Sequence, residues 1–216
     1  MYKLKTGVRI FCDLETSGLS PMSHSVLVAS FILLKENEVI RKTFYGRPES
    51  VEKWDEGAEK IHKISLWDAM RFPTHTQMAS EMLEFLQPCD EFWFHGLRKF
   101  DWIRLEGLFF KTGQVFDFRK KCPIYTVRST IELAKQKLQL ENYKLNTVSN
   151  RLGIDLDHHS AESDVNACYE IWRQLYEPIS TNYTEINFSR ARLGDQKEAN
   201  ELCILRYSSN TSRKFA

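Results

Sequence analysis

The chain has 216 residues, 42% hydrophobic and 12% aromatic, which excludes a disordered or fibrous protein and fits one globular domain with room for an appendage. Thirty basic residues against 29 acidic ones leave a formal charge of +1, so net charge neither demands nor excludes a polyanionic partner. The five cysteines, Cys12, Cys89, Cys122, Cys168 and Cys203, are odd in number and show no C-x-x-C spacing, and no run of 18 apolar residues or apolar leader occurs; the expectation is a cytoplasmic protein with reduced thiols and no membrane partner.

Val8-Arg9-Ile10-Phe11-Cys12 reads as a short β-rich run that closes on Asp13 and breaks at Ser17-Gly18. Side chains alternate along a strand, so Asp13 and Glu15 share one face, close enough to hold a divalent cation between them. Neighbouring buried carboxylates repel each other and take up protons unless a cation compensates them. An Asp-x-Glu pair also occurs about once by chance in a chain this acidic, and a solvated strand end is its simplest reading. Ser25 to Leu34 is apolar enough for a central strand, and Glu38 to Tyr45 alternates as its partner across a Lys35-Glu36-Asn37 turn. Three strands at such short spacing suggest an antiparallel meander that opens a mixed sheet.

From Pro48 to Pro73 the chain is charged, with short helices expected around Val51 to His62 and Ser65 to Met70, and with Trp54 and Trp67 as packing residues. Thr74 can cap a helix whose apolar face carries Met78, Met82, Leu83, Phe85 and Leu86. Glu91 to Phe94 is a strand candidate, and helical spacing resumes at Trp102, Leu105, Leu108 and Phe109, so Asp101 falls near the start of a helix that follows a strand. Gln114 to Tyr125 reads as a loop centred on Arg119-Lys120-Lys121, either a phosphate contact or an ordinary solvated loop. Thr126 to Leu138 and Leu145 to Leu152 read as helices, the second closed by Gly153. Asp155 to Asp164 then leads into an amphipathic helix with Val165, Cys168, Ile171, Trp172 and Leu175 on its apolar face and Ser160 as N-cap. The expected division is a domain over 1–180 and a polar appendage or tail over 181–216.

Three fragments stand in order: Asp13-Leu14-Glu15-Thr16-Ser17-Gly18-Leu19, Phe100-Asp101, and His159-Ser160-Ala161-Glu162-Ser163-Asp164. Together they resemble the DEDD exonuclease superfamily in its DnaQ-like branch with a catalytic histidine, the last fragment fitting His-x-Ala-x-x-Asp at each defined position. The resemblance covers roughly Val8 to Tyr176, and Trp93, Gly96, Phe100 and Asp101 look similar to phage-type members. An Asn that family members often carry just before the second-motif Asp is absent, the stretch here being Gly96-Leu97-Arg98-Lys99.

The resemblance implies an α/β ribonuclease H-like fold, with three antiparallel strands and then parallel strands flanked by helices. It also implies 3′ to 5′ hydrolysis at nucleic-acid 3′ ends with release of 5′-mononucleotides, single-stranded DNA slightly favoured over RNA. Asp13, Glu15 and Asp164 would hold one ion, Asp13 would bridge to a second, and Asp101 would bind that one; Mg²⁺ or Mn²⁺ suits such oxygen ligands. His159 would take the proton of the attacking water. Thr16, Leu19 and Phe100 would meet the terminal nucleotide, Leu19 either as a wedge or as an ordinary loop apolar residue, and Phe100 either as a stacking face or as a core packing residue. His158 is the competing base, but only His159 has the five-residue offset from Asp164. His24, His62, His75 and His95 read as structural. A different class, a nucleic-acid-binding or polymerase-accessory module without catalysis, would have no need of four carboxylates and a histidine together.

Overall fold

A computed structural model describes residues 7–21, 23–36, 38–50, 53–86, 89–96, 98–114, 127–176 and 184–187. The strands are β1 (Arg9–Thr16), β2 (Val26–Lys35), β3 (Glu38–Tyr45), β4 (Glu91–Phe94), β5 (Val127–Ser129) and β6 (Thr184–Asn187). They form one sheet in the order β5-β4-β1-β2-β3-β6. The β1-β2 and β2-β3 pairs are antiparallel, as the meander predicts, whereas β1-β4, β4-β5 and β3-β6 are parallel. The helices are α1 (Glu56–His62), α2 (Leu66–Ala69), α3 (His75–Leu86), α4 (Arg98–Lys111), α5 (Thr130–Lys137), α6 (Leu145–Leu152) and α7 (Ala161–Tyr176). None of these helices is long and apolar enough to cross a membrane.

Alternation along β1 sorts its side chains into two cores. Ile10, Cys12 and Leu14 pack with Met78, Met82 and Phe85 of α3 and Trp102, Leu105 and Phe109 of α4. On the other face Phe11 joins Trp93, Val165, Cys168, Tyr169 and Trp172. Phe11 is fully buried, its ring meeting those of Tyr169 and Trp172 edge-on at 5.3 Å each. Aromatic pairs of this geometry add to the apolar area they bury. Asp13 and Glu15 continue the row begun by Phe11, so the packing that seats α7 also decides which face the two carboxylates occupy.

Some local expectations change. Val127–Ser129 is a strand rather than the first turn of a helix; α5 begins only after Ser129, whose hydroxyl caps it by accepting from the Ile131 N–H. A three-residue strand has too little alternation to announce itself and is specified by pairing with β4. The helix expected from Val51 starts at Glu56 because Asp55 takes the N-cap, its carboxylate accepting from the Gly57 and Ala58 N–H groups. Trp54 packs, donating to Glu59 at 2.5 Å, but Trp67 is 75% exposed. The four-residue α2 turns Ala69 into the core, and two residues earlier lies the opposite side of the helix. The basic loop around Arg119-Lys120-Lys121 and most of the expected tail, 181–183 and 188–216, lie outside the described residues.

Candidate active site

Three elements bring acidic side chains to the carboxyl end of β1. The strand carries Asp13 and Glu15 on its α7 face, and its ladder with β2 shifts register between Glu15 and Thr16, where the chain leaves for the turn. β4 runs parallel to β1, so it ends on the same side; the chain passes through His95-Gly96 into α4, with Asp101 in its first turn. On α7, Asp164, Cys168 and Trp172 recur every four residues and form one stripe. Cys168 and Trp172 are fixed against the sheet, so Asp164 is carried in with them and is buried, at 6% exposure.

One ligand oxygen from each of Asp13, Glu15 and Asp164 lies within 4.8 Å of the other two. A second triplet of that size joins Asp164 to His158 and His159, and Asp101 stands outside both. Burial, followed by the charges of Asp101, Asp164 and Glu15, pushes the Asp13 carboxyl well above the usual carboxylate range. Burial, then Asp164 and Asp101, raises Glu15 to about 8. Burial raises Asp101 to about 7 against the opposing pull of the Arg104 guanidinium. Burial also raises Asp164, which His158 and the His159 backbone partly offset. Crowded carboxyls with raised proton affinity are compensated when a cation binds among them. Oxygen donors of this kind suit hard divalent cations. Cys12, Cys89 and Cys168 form no disulfide; burial raises Cys12 and Cys168, so both sit protonated beneath the acidic cluster.

His158 and His159 stack ring on ring at 3.9 Å in the loop before α7. The Nδ1 of His158 lies 3.4 Å from Asp164 Oδ1, whereas His159 contributes its backbone N–H to Asp164 Oδ2 at 3.3 Å. His159 has a left-handed φ of 74°, uncommon for a residue with a side chain. Its backbone is committed to Asp164 while its ring stays exposed. Slight burial, His158 and Lys63 lower the His159 pKa, and Asp164 opposes them. The other histidines are tied to structure: His24 accepts from the Ser20 N–H, His62 from the Ile64 N–H, and His75 meets the Val26 carbonyl. His95 lies between the Thr130 hydroxyl and the Tyr143 carbonyl, and burial lowers it to about 4.

The three residues expected at the terminal nucleotide differ among themselves. Thr16 is buried and its hydroxyl donates to the Gly18 carbonyl at 2.9 Å, so that group shapes the turn rather than offering a free contact. Gly18 has a φ of 155°, a backbone conformation that residues with a side chain rarely adopt, and a Cβ there would press on the His24 ring. Leu19 is 75% exposed and Phe100 is 37% exposed. Sequence reading passed over Arg104, which connects the two; its only signal is a charged residue one turn before Leu108 on a largely apolar helix face.

This sheet order, with helices on both faces, is the ribonuclease H-like exonuclease fold. The exonuclease family model RNase T matches residues 10–172, and the chain belongs to that family, within the DEDD superfamily. Similar solved structures include product-bound exonuclease I, at 16% identity and TM-score 0.67, covering 79% of this chain and 44% of that one. E. coli exonuclease I in complex with a dT13 oligonucleotide matches at 17% identity and TM-score 0.67, covering 78% of this chain and 41% of that one. A zinc-bound E. coli exonuclease I complex with single-stranded DNA matches at 17% identity, the same TM-score and the same coverage. The chain therefore spans less than half the length of these structures, and at such identities the likeness is one of fold. No curated protein matches the chain by sequence.

Proposed function

We propose that this chain is a divalent-metal-dependent 3′ to 5′ exonuclease that removes 5′-mononucleotides from nucleic-acid ends. The observation that carries the reading is the triplet of Asp13, Glu15 and Asp164 oxygens within 4.8 Å, in a chain of an exonuclease family. In this reading Asp13, Glu15 and Asp164 would hold one Mg²⁺ or Mn²⁺, and Asp13 with Asp101 would hold a second. When bound, such ions neutralise charge on the phosphoryl oxygens, lower the pKa of water and stabilise the leaving 3′ oxygen. His159, with its pKa below the ordinary imidazole value, accepts the proton of the attacking water. Its exposed ring leaves a path for that proton to solvent.

Single-stranded DNA is the favoured substrate, on the likeness to exonuclease I structures holding DNA strands. An exoribonuclease is the second reading, since telling the two apart rests on contacts to the 2′-hydroxyl. We assign residues 1–180 to the exonuclease domain and 181–216 to its appendage. Matched DNA and RNA oligonucleotides labelled at the 5′ end, single- and double-stranded, test the proposal with Mg²⁺, Mn²⁺ or chelator. The expected result is a ladder that shortens from the 3′ end, needs the metal and runs faster on single-stranded DNA. Binding without any shortening in either metal would instead make the chain a nucleic-acid-binding module.

A further inference from the structure

Arg104 sits in the second turn of α4 and is only 5% exposed. Its Nη1 donates to the Phe100 carbonyl at 3.0 Å and its Nη2 donates to the Leu19 carbonyl, 85 residues away in sequence. The guanidinium also lies over the Phe100 ring, with Cζ 3.3 Å from the ring centroid. One side chain thus joins the tip of the β1-β2 turn to the first turn of α4 and backs the aromatic ring.

The rest of the turn is braced on both sides of Leu19. Thr16 holds the Gly18 carbonyl, the Ser20 N–H donates to His24, and Ser17 and Ser25 exchange two hydrogen bonds. The Leu19 side chain nevertheless projects into solvent, and Phe100 keeps part of its ring open. An apolar residue so exposed on a braced turn contributes little to folding. Burying a guanidinium is costly unless its donors are used. The planar fork and flat cationic face of Arg let it reach two carbonyls and cover a ring together, which Lys does not reproduce.

We propose that Arg104 is a positioning residue that fixes Leu19 and Phe100 at a set separation, so that together they form a clamp for the base of the 3′-terminal nucleotide. The proposal rests on the exonuclease reading. Arg104 itself acts through the other two residues. A ring covered on one side by a planar cation has its other side pre-oriented for stacking, so the clamp needs no rearrangement when a base enters.

The test is steady-state hydrolysis by wild type, R104M and R104K in Mg²⁺, on two 5′-labelled single strands identical except that one ends in an abasic nucleotide. For wild type, KM should be about 10-fold higher on the abasic end, the range that stacking on one base supports. R104M should raise KM on the normal end by about 10-fold and remove the difference between the two ends, the base dependence being the readout because the charge of Arg104 also acts on Asp101. R104K, which keeps the charge but not the flat fork, should lose the base dependence as R104M does, and it carries the test if R104M fails to fold. Base dependence at the wild-type level in a folded R104M or R104K overturns the proposal, as does a wild-type enzyme that degrades both ends with one KM. A wild type that shortens neither strand refutes the exonuclease reading and this proposal with it.

Discussion

Replacing Asp13 with asparagine is expected to reduce hydrolysis by about 10³-fold or more while making the metal-free protein more stable. The kinetic loss follows from removing the carboxylate assigned to both ions, whose charge stabilisation in the transition state amounts to several kcal/mol. The gain in stability follows from burial and from the charges of Asp101, Asp164 and Glu15, which raise the proton affinity of Asp13 in the folded chain. Below about pH 4 the folded and unfolded chains both keep these carboxyl protons. As pH rises the unfolded chain releases them first, so the metal-free protein loses stability from about pH 4 up to the folded values, about 7 for Asp101 and about 8 for Glu15. A side-chain amide in place of the Asp13 carboxyl has no proton to take up on folding, so the variant escapes that loss. Thermal melts in chelator should therefore show Asp13→Asn above wild type at pH 8 and close to it at pH 4. Adding Mg²⁺ should raise the melting temperature of wild type far more than that of the variant. Wild-type turnover in Asp13→Asn, or a variant that melts lower than wild type at pH 8 without metal, would defeat the assignment.

His159→Ala should slow the chemical step by about 10²-fold to 10³-fold and change KM by less than about 3-fold, as expected for a general base that does not hold the substrate. His158→Ala should cost no more than about 10-fold. Its imidazole faces Asp164 at 3.4 Å, so its loss disturbs a carboxylate that other contacts still position, including the His159 N–H. Single-turnover rates at saturating metal separate the two histidines. A larger defect in His158→Ala would exchange their roles.

The sequence was most legible where one face of an element is buried and the other is not. Alternation delimited β3 as Glu38–Tyr45 to the residue, and helical spacing located α7 with Asp164 near its start. That Asp13 and Glu15 share a face follows from strand geometry alone. Their approach to Asp164 depends on where Phe11 meets Trp172, a packing relation between residues 161 apart that no local pattern contains. β5 escaped notice because three residues carry too little periodicity, and Trp67 because a four-residue helix has no face that a pattern can establish. Arg104 escaped for a different reason. What makes it special is a carbonyl acceptor on a distant turn, and backbone acceptors have no residue type.

The placement of β6 bears on how much of the chain a stable preparation needs. Thr184–Asn187 pairs along Glu38–Arg41 of β3, which would otherwise present its N–H and C=O groups at the margin of the sheet. An uncovered margin is a template on which a second molecule can add its own strand. Ending the chain at residue 180 would keep every site residue discussed above yet remove that cover. Such a fragment should hydrolyse normally when dilute and self-associate as its concentration rises, which sedimentation velocity of the two lengths would reveal; a fragment that stays monomeric at high concentration would mean the margin needs no cover. The segment after α7 would then serve as a guard against unwanted strand exchange, leaving catalysis to the rest of the sheet.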